Sequence, residues 1–115
     1  MIVRKLDAVP REAVEMDGVQ GAWKQLVLGE ADGVPHFSFR VFTLEPGGHT
    51  PRHRHETEHL NLVLSGRGAL VDPDGNEKDL TTGDFAFVAP DELHQFRNAG
   101  QEPFVFLCAV PKQYE

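Results

Sequence analysis

Hydrophobic and polar positions alternate in short bursts along this chain, and no helical period persists over a long window. Runs rich in Val, Leu, Phe and Thr are cut by turn signals. Trp23 to Leu28 and His36 to Leu44 are separated by a Gly- and Pro-containing stretch, and Glu45-Pro46-Gly47-Gly48 ends the second run. An extended piece from Thr50 to His55 follows, then His59 to Leu64, the break Ser65-Gly66, and Arg67 to Val71. Asp72-Pro73-Asp74-Gly75 has the chemistry of a hairpin connection. Phe85 to Val88, Leu93 to Asn98 and Phe104 to Val110 complete the set. Within the second run Phe37, Phe39 and Val41 share one face while Arg40 takes the other. Roughly eight to ten short strands, with a turn about every 8–12 residues, predict an all-β sandwich or barrel.

A chain of 115 residues without a linker, repeat or low-complexity segment predicts one domain. It divides into an N-terminal strand or arm over 1–22 and a barrel core over 23–110. The net charge of -7 leaves no basic patch to hold nucleic acid or an anionic membrane. Arg52 and Arg54, set among acids, read as strand-face or pocket residues. The single cysteine, Cys108, permits no intrachain disulfide. No run of about 18 apolar residues occurs, and the first seven residues lack a signal peptide's apolar core, so a cytoplasmic location is expected.

Four of the six histidines fall in one pattern, Gly47-x5-His53-x-His55-x3-His59-x6-Gly66 followed by His94-x3-Asn98. Imidazole is the commonest neutral metal ligand. On a strand, His53 and His55 point to one face, and His59 keeps that parity after Glu56-Thr57-Glu58. His94 must arrive from a distant strand. One such residue alone reads as a hydrogen-bonded core histidine; four together predict a metal site.

These residues resemble the cupin family. Its first motif, G-x5-H-x-H-x3-4-E-x6-G, is matched by Gly47, His53, His55 and Gly66, with His59 where the family usually has Glu. Its second, G-x5-P-x-G-x2-H-x3-N, is matched at Gly83, His94 and Asn98; Ala89 stands at the proline position and Asp91 at the glycine. The resemblance implies an all-β cupin jelly-roll β-barrel in a single domain. The four-histidine variant is similar to small single-domain bacterial cupins that bind manganese or another divalent ion. By that similarity Phe106 and Cys108 line the pocket, the alternative being that both are plain core. It also implies a homodimer in which the N-terminal strand, Met1 to Leu6, adds to the neighbour's sheet.

Replacing a carboxylate by imidazole removes one negative charge around the ion, giving a stronger Lewis acid that resists further oxidation. Four nitrogen ligands leave two positions of an octahedron open, suited to a bidentate substrate or a substrate plus O2. A closed four-histidine zinc site is the structural alternative. The expected cofactor is one divalent transition metal per chain, manganese first, with Fe, Ni, Zn, Cu or Co also compatible. Because each ligand must be neutral, metal loss is expected below histidine's reference pKa near 6.5.

The first function expected is a dioxygenase-like, metal-dependent oxidoreductase acting on a small organic molecule. A metal-dependent isomerase or lyase without redox, and a non-catalytic ligand-binding module, are the other readings. A non-redox reaction needs a base, and Glu92, two residues before His94, is the candidate second-shell acid or base; its alternative is a solvated loop carboxylate. Asn98 reads as a residue that holds a strand end. Gly47, Gly66 and Gly83 read as turns needing unusual backbone angles. The sequence assigns no role to Trp23, His36 or His49.

Overall fold

Nine strands form around the apolar runs, in a computed structural model that describes residues 1–115. They are β1 (Glu12–Ala13), β2 (Gln20–Leu28), β3 (Phe37–His49), β4 (His59–Ser65), β5 (Arg67–Val71), β6 (Glu77–Thr81), β7 (Phe85–Val88), β8 (Gln95–Asn98) and β9 (Phe104–Pro111). Three single 3-10 turns, at Leu6–Ala8, Glu30–Asp32 and Lys112–Tyr114, are the only helical elements. No helix is long and apolar enough to cross a membrane.

All pairing is antiparallel, in the order β6-β5-β8-β3-β9-β4-β7, with β2 on the other side of β3 and β1 on β2. The long strand β3 closes the jelly-roll. Its first half, Phe37 to Leu44, pairs with β9 and β2, whereas His49 pairs with Arg97 of β8. The change of partner falls on Glu45-Pro46-Gly47-Gly48, where Gly47 has φ 80°. Glycine adopts that angle without strain, so the turn signal becomes a corner within the one curled sheet, where β3 passes from β9 to β8.

Strand β9 shows how the core is built. Phe104, Phe106, Cys108 and Val110 are buried, while the intervening residues are only half-buried. Their neighbours across the pairing are Leu44 beside Phe104, Phe42 and Val63 beside Phe106, and Arg40 and Asn61 beside Cys108. From the opposite wall Leu70, Leu80 and Phe96 close over this row. Each fully buried Phe or Leu contributes about 1.5–3 kcal/mol relative to exposure. Asn98 is 5 % exposed. It ties the strands at one end: its Nδ2 donates to Leu44 O (2.9 Å) and Glu102 O (2.7 Å), and its Oδ1 accepts from Gly100 N–H (2.8 Å).

Several expectations need correction. Within one chain Met1 to Leu6 joins no sheet, as holds also for a strand that pairs with a second copy; Arg4 anchors the segment on Asp32 and the Val27 carbonyl, and Gln25 donates to the carbonyls of Leu6 and Val9. Side chains, not a backbone ladder, hold it. Pairing begins at β1, where Glu12 and Ala13 lie opposite Lys24 and Trp23, and β2 starts at Gln20, ahead of Trp23, through a bulge between Gln20 and Ala22. Thr50 to His55 is not a strand, because Pro51 lacks a ladder donor; only His53 makes an isolated bridge. In β3 Phe37 and Phe39 are exposed while Ser38 and Arg40 are buried, and Val41, of the same parity as the two phenylalanines, is buried as well. Strand β6 carries no apolar alternation and buries only Leu80.

Candidate metal centre

The main chain brings the two motifs together before any side chain does. His53 and His94 exchange backbone hydrogen bonds, N–H to O at 3.1 and 3.0 Å. Asp91 N–H donates to the His55 carbonyl at 2.8 Å, and Asp91 is the one non-glycine residue in the left-handed region, φ 62°. It stands at the motif's glycine position. His59 opens β4 and is 6 % exposed; His94 is 3 % exposed.

One nitrogen from each of His53, His55 and His94 lies within 4.8 Å of the others, a group able to hold a metal ion. The fourth ring joins through His55: the His55 and His59 rings stack at 4.4 Å, with their Nε2 atoms 2.5 Å apart. His59 also lies edge-on to His94, at 5.0 Å between centroids. His55 and His94 each neighbour both remaining rings, which leaves His53 and His59 at the two ends of the cluster.

Hydrogen bonds to carbonyls assign two tautomers. His55 Nδ1 lies 2.8 Å from Thr57 O, and His94 Nδ1 lies 2.8 Å from Glu92 O. A carbonyl only accepts, so the proton sits on Nδ1 and the Nε2 lone pair is free to face the cluster. His59 Nδ1 is buried with no partner. A shared cation removes the repulsion between the converging lone pairs of His55 and His59. On this donor chemistry the cluster fits a divalent transition metal.

Burial first, and in His53, His55 and His59 the neighbouring charges as well, push the imidazoles towards the neutral form that metal binding requires. His55 falls to about 4 and His59 to about 2. His53 is lowered by burial, then by His94 and Arg40. In His94 burial outweighs the opposing bond to the Glu92 carbonyl.

The cluster opens onto a cavity of about 140 Å³. Phe106 and Cys108 both line it. Phe106 stacks on Phe96 at 4.5 Å and on Phe42 at 5.6 Å. Burial pushes the Cys108 thiol up, while the Arg40 guanidinium, donating from Nη2 to Sγ at 3.2 Å, pulls the other way. Tyr114, from the turn after β9, lies 4.4 Å from the His55 ring, and burial raises its hydroxyl.

The remaining candidates lie elsewhere. The exposed Glu92 carboxylate accepts from Ala89 N–H at 3.2 Å; its contact with His94 runs through the main-chain carbonyl. Trp23 carries Arg11 over its ring at 4.4 Å, outside the cavity. His49 is half-buried beside Gln95, and His36 is exposed. Arg54 is exposed, and Arg52 donates to the carbonyls of Asp72 and Pro73. Sequence reasoning missed Arg40 and Tyr114. The signal for Arg40 was its parity with Phe42 and Leu44; Tyr114, the only tyrosine, lies beyond the last apolar run and had none.

A jelly-roll barrel with a histidine cluster in its interior, three of whose rings could hold a metal ion, defines the class of fold and site. The chain belongs to the cupin domain family, whose pattern matches residues 40–110. It is 32 % identical over 62 residues to "Gentisate 1,2 dioxygenase 1" of Aquipseudomonas alcaligenes, covering 54 % of this chain and 18 % of that one. The chain thus spans less than a fifth of the length of the gentisate dioxygenases it matches. Among solved structures, the polyketide cyclase RemF from Streptomyces resistomycificus is similar at TM-score 0.91 and 30 % identity, covering 96 % of this chain and 79 % of that one. A sugar phosphate isomerase of the cupin superfamily from Silicibacter pomeroyi is similar at TM-score 0.80 and 30 % identity, covering 96 % and 75 %.

Proposed function

We propose that this cupin is a metal-dependent, dioxygenase-like oxidoreductase that acts on a small organic substrate, with one divalent metal ion held by His53, His55, His59 and His94. The observation that carries it is the convergence of four neutral imidazoles on one cavity, two of them fixed by carbonyls so that Nε2 faces inward. Manganese is the first choice and iron the second, with nickel, zinc, copper and cobalt also compatible with nitrogen donors. When bound, such an ion supplies Lewis acidity and, for manganese or iron, redox chemistry with O2. The chain's own contribution is a dry, shaped site: Phe106, Phe96 and Phe42 form an aromatic wall that orients substrate and excludes water. Cys108, held as a buried thiol, adds shape and not a nucleophile. The gentisate dioxygenases matched over about half of the chain support the reaction class.

A non-redox isomerase or lyase is the second reading. Its support is the Tyr114 side chain over the histidine cluster, together with the cyclase and isomerase among the structural relatives. In that case Tyr114, and not the exposed Glu92 carboxylate, moves the proton. A non-catalytic cupin that only binds a small ligand is the third.

Elemental analysis of protein grown with all first-row metals, beside His59→Ala, tests the proposal. About one equivalent of manganese or iron is expected, lost in the variant, with O2 uptake on a panel of enols, phenols and unsaturated acids. No O2 uptake by protein reconstituted with manganese or with iron overturns the oxidoreductase and leaves the non-redox reading.

A homodimer and a cytoplasmic setting complete the proposal. Leu60, Phe85 and Phe87 form an exposed apolar face on adjacent strands, 51, 80 and 62 % exposed, which a second copy would cover. The lone free cysteine fits a reducing compartment.

A further inference from the structure

The charge of the cavity is opposite to that of the chain. The sequence has 18 acidic and 11 basic residues, yet none of the 17 residues lining the cavity is Asp or Glu, while Lys24 and Arg40 both are lining residues. Lys24 is engaged: its Nζ donates to the Glu115 main-chain oxygen at 3.2 Å. Arg40 is not. It is 7 % exposed, and none of the ion pairs in the structure includes it.

What surrounds Arg40 is neutral. Nη2 donates to Cys108 Sγ, Nε has no acceptor, and the guanidinium lies over Phe42 at 4.9 Å and Tyr114 at 5.5 Å. Next to it in register, Arg40 pairs with Cys108 and Cys108 with Asn61, whose Oδ1 is also buried without a partner. A thiol and two ring faces do not balance a buried unit charge, and an unpaired buried ion costs several kcal/mol. A guanidinium that lines a cavity, with no carboxylate beside it and its Nε unpartnered, is arranged for an anion that arrives from outside.

We infer that Arg40 is the anion-recognition residue of this site, and that its guanidinium pairs with the carboxylate of a small organic acid lodged between the aromatic wall and the histidine cluster. The volume bounds the acid. A cavity of about 150 Å³ accepts benzene, so the enclosed part of this one, about 140 Å³, accommodates one ring or a short chain. The inference rests on the cavity being the substrate site; it does not depend on which ion, if any, the histidines hold.

The experiment is calorimetric titration with benzoate and with its neutral counterpart benzamide, on metal-loaded and on chelator-stripped protein, with metal content measured in parallel. Benzoate is expected to bind about ten- to a hundredfold more tightly than benzamide in both forms. Arg40→Met and Arg40→Gln, two neutral replacements so that failure of one to fold leaves the other, should each abolish the preference. Equal binding of the two probes, no binding of either, a preference surviving in both variants, or a preference lost on stripping the metal overturns the inference. An Arg40-dependent preference in protein that never takes up metal supports it while overturning the metal-dependent function.

Discussion

Arg40→Met tests the same side chain through folding rather than through binding. In the wild type, burying the guanidinium without a carboxylate costs several kcal/mol, and the unpaired Nε adds about 1–3 kcal/mol. Against this stand one hydrogen bond to sulfur at 3.2 Å and the ring faces of Phe42 and Tyr114, worth about 0.5–2 kcal/mol. Methionine preserves most of the stem and gains a sulfur–aromatic contact of about 0.3–1.5 kcal/mol. The expected result is a variant as stable as the wild type or more stable by up to about 1 kcal/mol, which corresponds to a rise in Tm of up to about 4 °C. Urea denaturation of metal-free protein, in a buffer without carboxylic acids, measures it free of ligand linkage. Benzoate should then raise the Tm of the wild type and leave the variant unmoved. A loss above about 2 kcal/mol would refute the reasoning, because it would make Arg40 a structural residue whose charge is already balanced.

Two other predictions follow from particular contacts. Asn98→Ala removes three hydrogen bonds in a buried position and should cost about 2–3 kcal/mol in chemical denaturation, with the metal-binding stoichiometry unchanged; a cost below about 0.5 kcal/mol would contradict its role as a tie between strands. The metal-free protein should lose Tm as pH falls from 7 to 5.5. Its unfolded chain takes up protons near 6.5, whereas folded His55 resists to about 4 and His59 to about 2, so the unfolded state binds more protons in that window. A Tm that stays level or rises on this acidification would show that the rings are not desolvated.

The barrel was legible because its strands are short, apolar and punctuated. Arg67–Val71 and Phe85–Val88 have the limits the turn signals imply, and Asp72 Oδ1 accepts the N–H groups of Asp74 and Asn76 in the expected hairpin turn. The histidine spacing was legible because a motif is a local object. What escaped was non-local. Arg40 reads as an outward polar residue until β9 and β4 place Cys108 and Asn61 beside it, and no window around residue 40 contains either. Strand β6 escaped because a polar edge strand is defined by its neighbour β5, not by its own pattern.

The reciprocal backbone bridge between His53 and His94 carries a consequence for metal choice. Two of the proposed donors, 41 positions apart in sequence, are locked to each other by main-chain bonds at 3.1 and 3.0 Å, and two rings are further pinned by carbonyls. The spacing of the donors is therefore established when the barrel forms, and little ordering entropy is left for the ion to overcome. In such a preorganised cage, affinity for different ions reports coordination preference and ionic size almost alone, without a folding contribution. Ions should then exchange without the chain unfolding, and the metal content found in isolated protein should follow the supply of ions during growth as much as the intrinsic order of their affinities.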